Sequence, residues 1–195
     1  MGRKNYIGMG YQSHQLVRES ISEMINEGNR TLIISRYDEN QSDEDSWKEY
    51  ESKTRWNDFN IGVPLLYNFY HGLELIMKGV LQELKEEIVK THNLKSLFER
   101  ISKNDTIPVN LLIIFKKYLF TDNPFLDFFE SNDIQTHQYH LLLKYPESLI
   151  QNKPKTHNYS KLRGKKEVGL SRFETLKEDI SIIKNCITEW NISKV

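Results

Sequence analysis

Histidine, glutamate and lysine recur on one stripe of the segment FYHGLELIMKGVL, residues 69–81, as His71, Glu74 and Lys78. Steps of three and four residues put them within roughly 60° of arc on a helix, so the three side chains are neighbours. An imidazole beside a carboxylate titrates near neutral pH and can move a proton, and an ammonium one turn further on can hold an anion such as phosphate. The same groups can instead do nothing but pair with one another. Leu66, Phe69, Tyr70, Leu73, Ile76, Met77, Val80, Leu81 and Leu84 fill most of the remaining circle, and charges enclosed among them must be partnered. Spacing leaves both readings open. His92, in THNL, can reach the same stripe, although Thr91 and Asn93 beside it also suit a helix cap.

Two other groups of residues could carry chemistry. Between Pro146 and Ser171 the chain loses its periodicity and presents Lys153, Lys155, His157, Lys161, Arg163, Lys165 and Lys166, with Tyr159 interleaved and no acidic residue from Lys153 until Glu167. Lysine and arginine neutralise phosphates and tyrosine stacks on bases, so this loop suits RNA or a nucleotide. The plain alternative is a solvated loop, paired with the acidic run Asp38–Asp45. His137 and His140, in THQYH, stand three residues apart, a spacing at which two imidazoles converge on a metal. Spacing places no third ligand and the single cysteine, Cys186, offers no thiolate pair, so neither a metal nor a cofactor is expected.

These residues must be positioned by helices. Ser13 can cap a first helix with Leu16, Val17, Ile21, Met24 and Ile25 on one face and Gly28 as its stop. RTLIISRY, residues 30–37, suits a strand by composition or a continued helix, and Asp38–Asp45 reads as a solvated loop. Pro64 fits the first turn of a long central helix running to about Lys90. Gly72 and Gly79 lie on one side of it, and each costs helix stability of order 1 kcal/mol, which points to close approach by a neighbouring backbone or a second copy of the chain. A shorter helix follows over His92–Ile101. Another begins at Pro108 and is broken by Asn123-Pro124. The last is the most regular, with Phe173, Leu176, Ile180, Ile183, Ile187 and Trp190 at steps of three and four, and Ser171 and Glu174 spaced as a capping box. Trp47 and Trp56 flank a charged stretch ahead of the central helix, where they suit an interface or a clamp on a loop. The expectation is an all-α, up-and-down bundle of about five helices, one domain over residues 1–195, loop-rich at 38–55 and 146–170.

Composition narrows the classes of function. Twenty-seven basic and 27 acidic residues give no net charge, so nothing about the whole chain demands a polyanion or a membrane. The N-terminus has no signal-peptide core and no apolar run approaches a membrane span, from which a cytoplasmic protein is expected with Cys186 buried and reduced.

FYHGLELIMKGVL, the THNL that opens the next helix and the later LLLKYP together resemble the HEPN superfamily, over about Pro64 to Pro146. The resemblance implies a helical bundle, commonly a homodimer, that binds RNA or nucleotide in bacterial defence or toxin–antitoxin systems, with a nucleotidyltransferase or an antitoxin as partner. The nuclease branch of that family carries an arginine followed after about four to six residues by a histidine. This chain lacks that motif. Lys153 to His157 has lysine in place of arginine with a shorter gap, and His140 to Lys144 runs in reverse order. Lys144-Tyr145-Pro146 resembles the Arg-Tyr-Pro element of other members, with a point charge in place of a planar guanidinium. The candidate ligand-binding residues are therefore His71, Glu74, Lys78, His92, Lys144, Tyr145, Lys153, His157 and Arg163, joined across a two-fold dimer, with binding favoured over catalysis. The alternatives are a non-catalytic dimerisation or scaffold module and a HEPN ribonuclease with a divergent site.

Overall fold

The computed structural model describes residues 5–30, 42–88, 90–120, 122–150, 153–162 and 166–192. It is an all-α helical bundle, with α1 (Tyr6–Asn26), α2 (Asp43–Thr54), α3 (Asp58–Glu83), α4 (Leu94–Ile101), α5 (Val109–Leu119), α6 (Leu126–Glu130), α7 (Tyr139–Leu143) and α8 (Lys166–Ile192). A short antiparallel hairpin, β1 (Glu147–Ile150) and β2 (Lys153–Thr156), sits between α7 and α8, with Glu147 opposite Thr156 and Ile150 opposite Lys153. The aperiodic stretch after Pro146 is thus in part a ladder. Four residues on each side are too short a run for sequence alternation to reveal.

Helix α3 is the centre. Leu66, Phe69, Tyr70, Leu73, Ile76, Met77, Val80 and Leu81 are all fully buried, as an apolar surround on nearly every side requires. Its closest neighbour is α1, and glycine makes that approach possible. A Cβ at Gly72 would lie 2.5 Å from the His14 ring and 3.1 Å from the Gly10 carbonyl, and one at Gly79 would lie 2.9 Å from the Ile7 backbone nitrogen. The neighbouring backbone that Gly72 and Gly79 admit is that of α1, within the same chain.

Several element boundaries differ from the sequence expectation, each for a local reason. Helix α1 begins earlier, because the Asn5 side chain accepts from the Gly8 amide at 2.9 Å; Ser13 lies inside the helix with its hydroxyl on the Met9 carbonyl. Its end is as read, with Gly28 at φ 71°. The acidic run is no loop from Asp43 onward. Ser42 caps α2, and Asp43, Glu44 and Asp45 occupy its first turn, where carboxylates complement the helix dipole. Residues 38–41 and, after Arg30, the RTLIISRY segment lie outside the described residues.

Helix α3 starts at Asp58, capped by Asn57, so Pro64 falls within the helix, where its ring nitrogen cannot donate to the Asn60 carbonyl. It stops at Glu83 and not near Lys90. Lys85 turns left-handed at φ 60°, and Arg100 draws the segment beyond onto α4 by gripping the Glu86 carboxylate through Nε at 3.0 Å and Nη2 at 2.7 Å. Asn93 caps α4, and Thr91 accepts from the Asn93 amide. Helix α5 ends at Leu119, just ahead of Asn123-Pro124. Helix α8 begins at Lys166, which leaves Ser171 and Glu174 inside it and not at its start. Its apolar row is as read: Phe173, Leu176, Ile180, Ile183, Ile187 and Trp190 are buried. Cys186 is a buried free thiol. Trp47 is mostly exposed on α2, stacked on Tyr50.

Among the described residues no helix is long and apolar enough to cross a membrane.

Candidate functional site

Glu74 is the hub of a polar cluster in the bundle. Its side chain is only 2% exposed, and it sits on α3 among leucines and aromatics. Such a carboxylate must be saturated with donors. Lys78 Nζ, one turn on, donates to Oε1 at 2.7 Å. The Tyr139 hydroxyl, brought in by α7, donates to Oε2 at 2.7 Å, and His92 Nδ1, from the segment just before α4, lies 3.1 Å from the same oxygen. The carboxylate can only accept, so Nδ1 carries the proton and Nε2 is the ring nitrogen left over. Burial by itself pushes the Glu74 carboxyl up, but the bonds from Lys78, Tyr139 and His92 outweigh it and hold the group below the ordinary carboxylate range. Burial and the adjacent Glu74 charge raise Tyr139, which keeps its proton.

Two further histidines stand around this hub. His71 is half-buried and stacks on Tyr67, with ring centroids 5.9 Å apart and planes 3° from parallel. His140, on α7 next to Tyr139, has its ring 5.5 Å from that of His92, and its Nδ1 is buried without a hydrogen-bond partner among the described residues. Burial lowers His71 below the ordinary imidazole value; the Glu74 charge opposes this and Lys78 and His92 add to it. His140 is lowered first by burial and then by His92, with Glu74 opposing and Lys144 adding. Burial thus favours the neutral form of both rings. His92 is the accessible member, its side chain 65% exposed.

The stripe read from spacing is thus one wall of an assembled cluster. His71, Glu74 and Lys78 are together as expected, and His92 reaches them through Glu74. Lys144 adds its charge beside His140, with Nζ over the ring of the exposed Tyr145 at 5.3 Å. Two other basic-loop residues are engaged elsewhere. His157 is buried with Nδ1 2.9 Å from the Tyr145 carbonyl, where it ties β2 to the end of α7. Lys153 opens β2, and its side chain, like the whole of Arg163, lies outside the described residues. Lys155 pairs with Asp133 at 2.5 Å.

Sequence reasoning missed Tyr67 and Tyr139. Tyr67 stands one turn before His71 on the same stripe, a signal the four-residue step could have supplied. No local pattern marks Tyr139, which meets Glu74 across 65 positions of chain. His137 and His140 meet different neighbours. His137, on a single 3-10 turn (Thr136–Gln138), senses Lys95 and Glu99 on α4, whereas His140 faces His92. Among the described residues no group of three or more histidines, cysteines and carboxylates is arranged to hold a metal ion. No family model, curated protein or solved structure matches this chain.

Proposed function

We propose that this chain is a HEPN-like protein that binds the phosphates of RNA or a nucleotide at the imidazole and lysine rim of the Glu74 cluster. The observation that carries the reading is the gathering of His71, His92 and His140 around one buried carboxylate that Lys78 and Tyr139 already serve. A lattice meant only to lock helices would be complete with the lysine and the tyrosine. The histidines add donors at the edge of solvent. His92 offers Nε2, Lys144 a flexible cation, and the stacked Tyr67–His71 pair a flat surface on which a base can lie. A homodimer, a role in bacterial defence or a toxin–antitoxin pair, and a nucleotidyltransferase or antitoxin partner belong to the same proposal through the resemblance of FYHGLELIMKGVL, THNL and LLLKYP.

Fluorescence anisotropy of labelled RNA and nucleotides across a salt series tests it. Affinity should fall linearly with salt on logarithmic axes and drop in a His92→Ala, Lys144→Ala double variant. A tight dimer that binds neither RNA nor nucleotide at low salt would leave the scaffold function in its place.

A second reading, RNA cleavage, rests on the lowered basicity of His71 and His140 beside a histidine held by a carboxylate. A neutral imidazole can take the proton of a ribose 2′-hydroxyl while a second ring protonates the leaving 5′-oxygen, with no metal in the step. Incubation with total tRNA decides it. Cleavage lost in His92→Ala supports an enzyme, and intact tRNA with the unaltered protein leaves binding alone.

A further inference from the structure

We propose that the rim of the Glu74 cluster binds an RNA phosphate only together with a proton, taken up from solvent on His92 Nε2, so that binding there is switched by pH. This coupling presupposes the phosphate reading above. His92 holds its Nδ1 3.1 Å from Glu74 Oε2, and a carboxylate only accepts, so the uncharged ring has its hydrogen on Nδ1 and a bare lone pair on Nε2. The ring is also the accessible one of the cluster, its side chain 65% exposed. Phosphodiester oxygens are acceptors as well. A lone pair set against one of them repels it, and only a ring that has gained a proton at Nε2 can donate to it, through a charge-assisted bond. The bond to Glu74 survives the change, because Nδ1 donates in both forms of the ring.

The charges around the ring set the same condition. Lys78 Nζ lies 2.7 Å from Glu74 Oε1, and the two formal charges cancel. Tyr139, on α7, donates its hydroxyl to Glu74 and keeps its proton. His71 on α3 and His140 on α7, the latter with its ring 5.5 Å from that of His92, are favoured in the neutral form by burial. Along the segment of His92 itself the flanking charges are Lys90 and Lys95, and Lys95 faces Glu99 at 4.0 Å. Lys144, beside His140, supplies a flexible cation, whereas a proton on His92 adds a charge that the bond to Glu74 holds in place. Imidazole is the side chain that ordinarily changes charge between about pH 5 and 8. A ligand that binds the protonated ring and not the neutral one binds more tightly as pH falls, by up to about tenfold per unit while the free ring is neutral.

Anisotropy of a uridine oligonucleotide carrying a pH-insensitive dye, titrated with the full chain at constant low salt from about pH 8 to about pH 6, tests the coupling. The oligonucleotide carries no terminal phosphate, which would itself titrate near about pH 6. Affinity should rise about tenfold or more across that range. His92→Gln, whose amide does not titrate, should bind with a flat profile, and Lys144→Ala should weaken binding by a similar factor at every pH. A nitrogen spectrum at about pH 8 should show His92 with Nδ1 protonated and Nε2 bare, and addition of the oligonucleotide near neutral pH should bring a hydrogen to Nε2. A flat profile in the unaltered chain, a slope undiminished in His92→Gln, or a bare Nε2 in the complex overturns the proton coupling and leaves the phosphate reading in place. Absence of binding at every pH overturns that reading, and the coupling with it.

Discussion

Two buried carboxylates in this bundle are served by the same types of donor and end in different circumstances. Glu74 on α3 takes Lys78 and Tyr139, and Asp179 on α8 takes Lys117 at 2.6 Å and the Tyr118 hydroxyl at 2.7 Å. Around Asp179 the network turns inward. Tyr118 packs against Phe69 and Tyr70, the Tyr70 hydroxyl accepts from Asn123, and Asn123 also donates to the Tyr118 carbonyl, so the polar atoms close on one another between α5, α8 and α3. Around Glu74 the network turns outward through His92, His140 and His71. A closed network stabilises a crossing of helices. One that ends in titratable rings at the solvent edge can stabilise a crossing and hold a ligand as well.

The largest effect expected from this contrast is on stability. Glu74→Ala strands Lys78, whose side chain is 11% exposed, and the buried Tyr139 hydroxyl, and should cost about 3–5 kcal/mol in urea unfolding. A cost below 1 kcal/mol would show that the hub holds nothing together.

Acid should act next. The His14 imidazole is held at about 4 against an ordinary 6.5, first by burial, with its bond to Phe69 opposing. A base whose folded pKa is depressed contributes stability fully present above pH 6.5 and lost as pH falls from there toward 4, here about 3 kcal/mol in all. His71 and His140 add smaller losses of the same sign. Glu74, held below its ordinary 4.5, adds its own only below that value. Unfolding followed from pH 7 to 4 should show the decline, and His14→Gln should flatten it; an equal slope in the variant would assign the loss elsewhere.

The other carboxylate should matter less. Asp179→Ala leaves the Tyr118 hydroxyl buried but frees Lys117, already 26% exposed, to reach water, at about 1–3 kcal/mol. Equal costs for Glu74→Ala and Asp179→Ala would erase the contrast between the two networks. The smallest change belongs to His92→Ala, about 0.5 kcal/mol for a ring mostly in water, although ligand affinity should fall. A loss of several kcal/mol there, with affinity intact, would reverse the functional reading of the rim.

Much of the fold is legible in residue spacing because helices repeat locally. The rows on α3 and α8 and the close approach at Gly72 and Gly79 follow from periodicity and from the missing Cβ. The helix ends were less legible, since several acceptable caps stand near one another. Asn5 and Ser13 both suit α1, and Asn57 and Pro64 both suit the start of α3. The residue whose side chain meets a free amide wins, and that depends on what the flanking chain packs against.

His71, Glu74 and Lys78 owe their proximity to helical geometry alone, and an apolar surround made their pairing obligatory; the sequence by itself determined that much, along with the all-α class. Whether the pairing would be closed or open was decided by tertiary structure. Tyr139 arrives on α7 from 65 residues away with His140 beside it, His92 meets Glu74 from the segment ahead of the Asn93 cap of α4, and His14 loses solvent because α1 presses against Gly72. Periodicity specifies which face of a helix is buried. The identity of the donors that meet that face depends on contacts between distant segments, which no local pattern encodes.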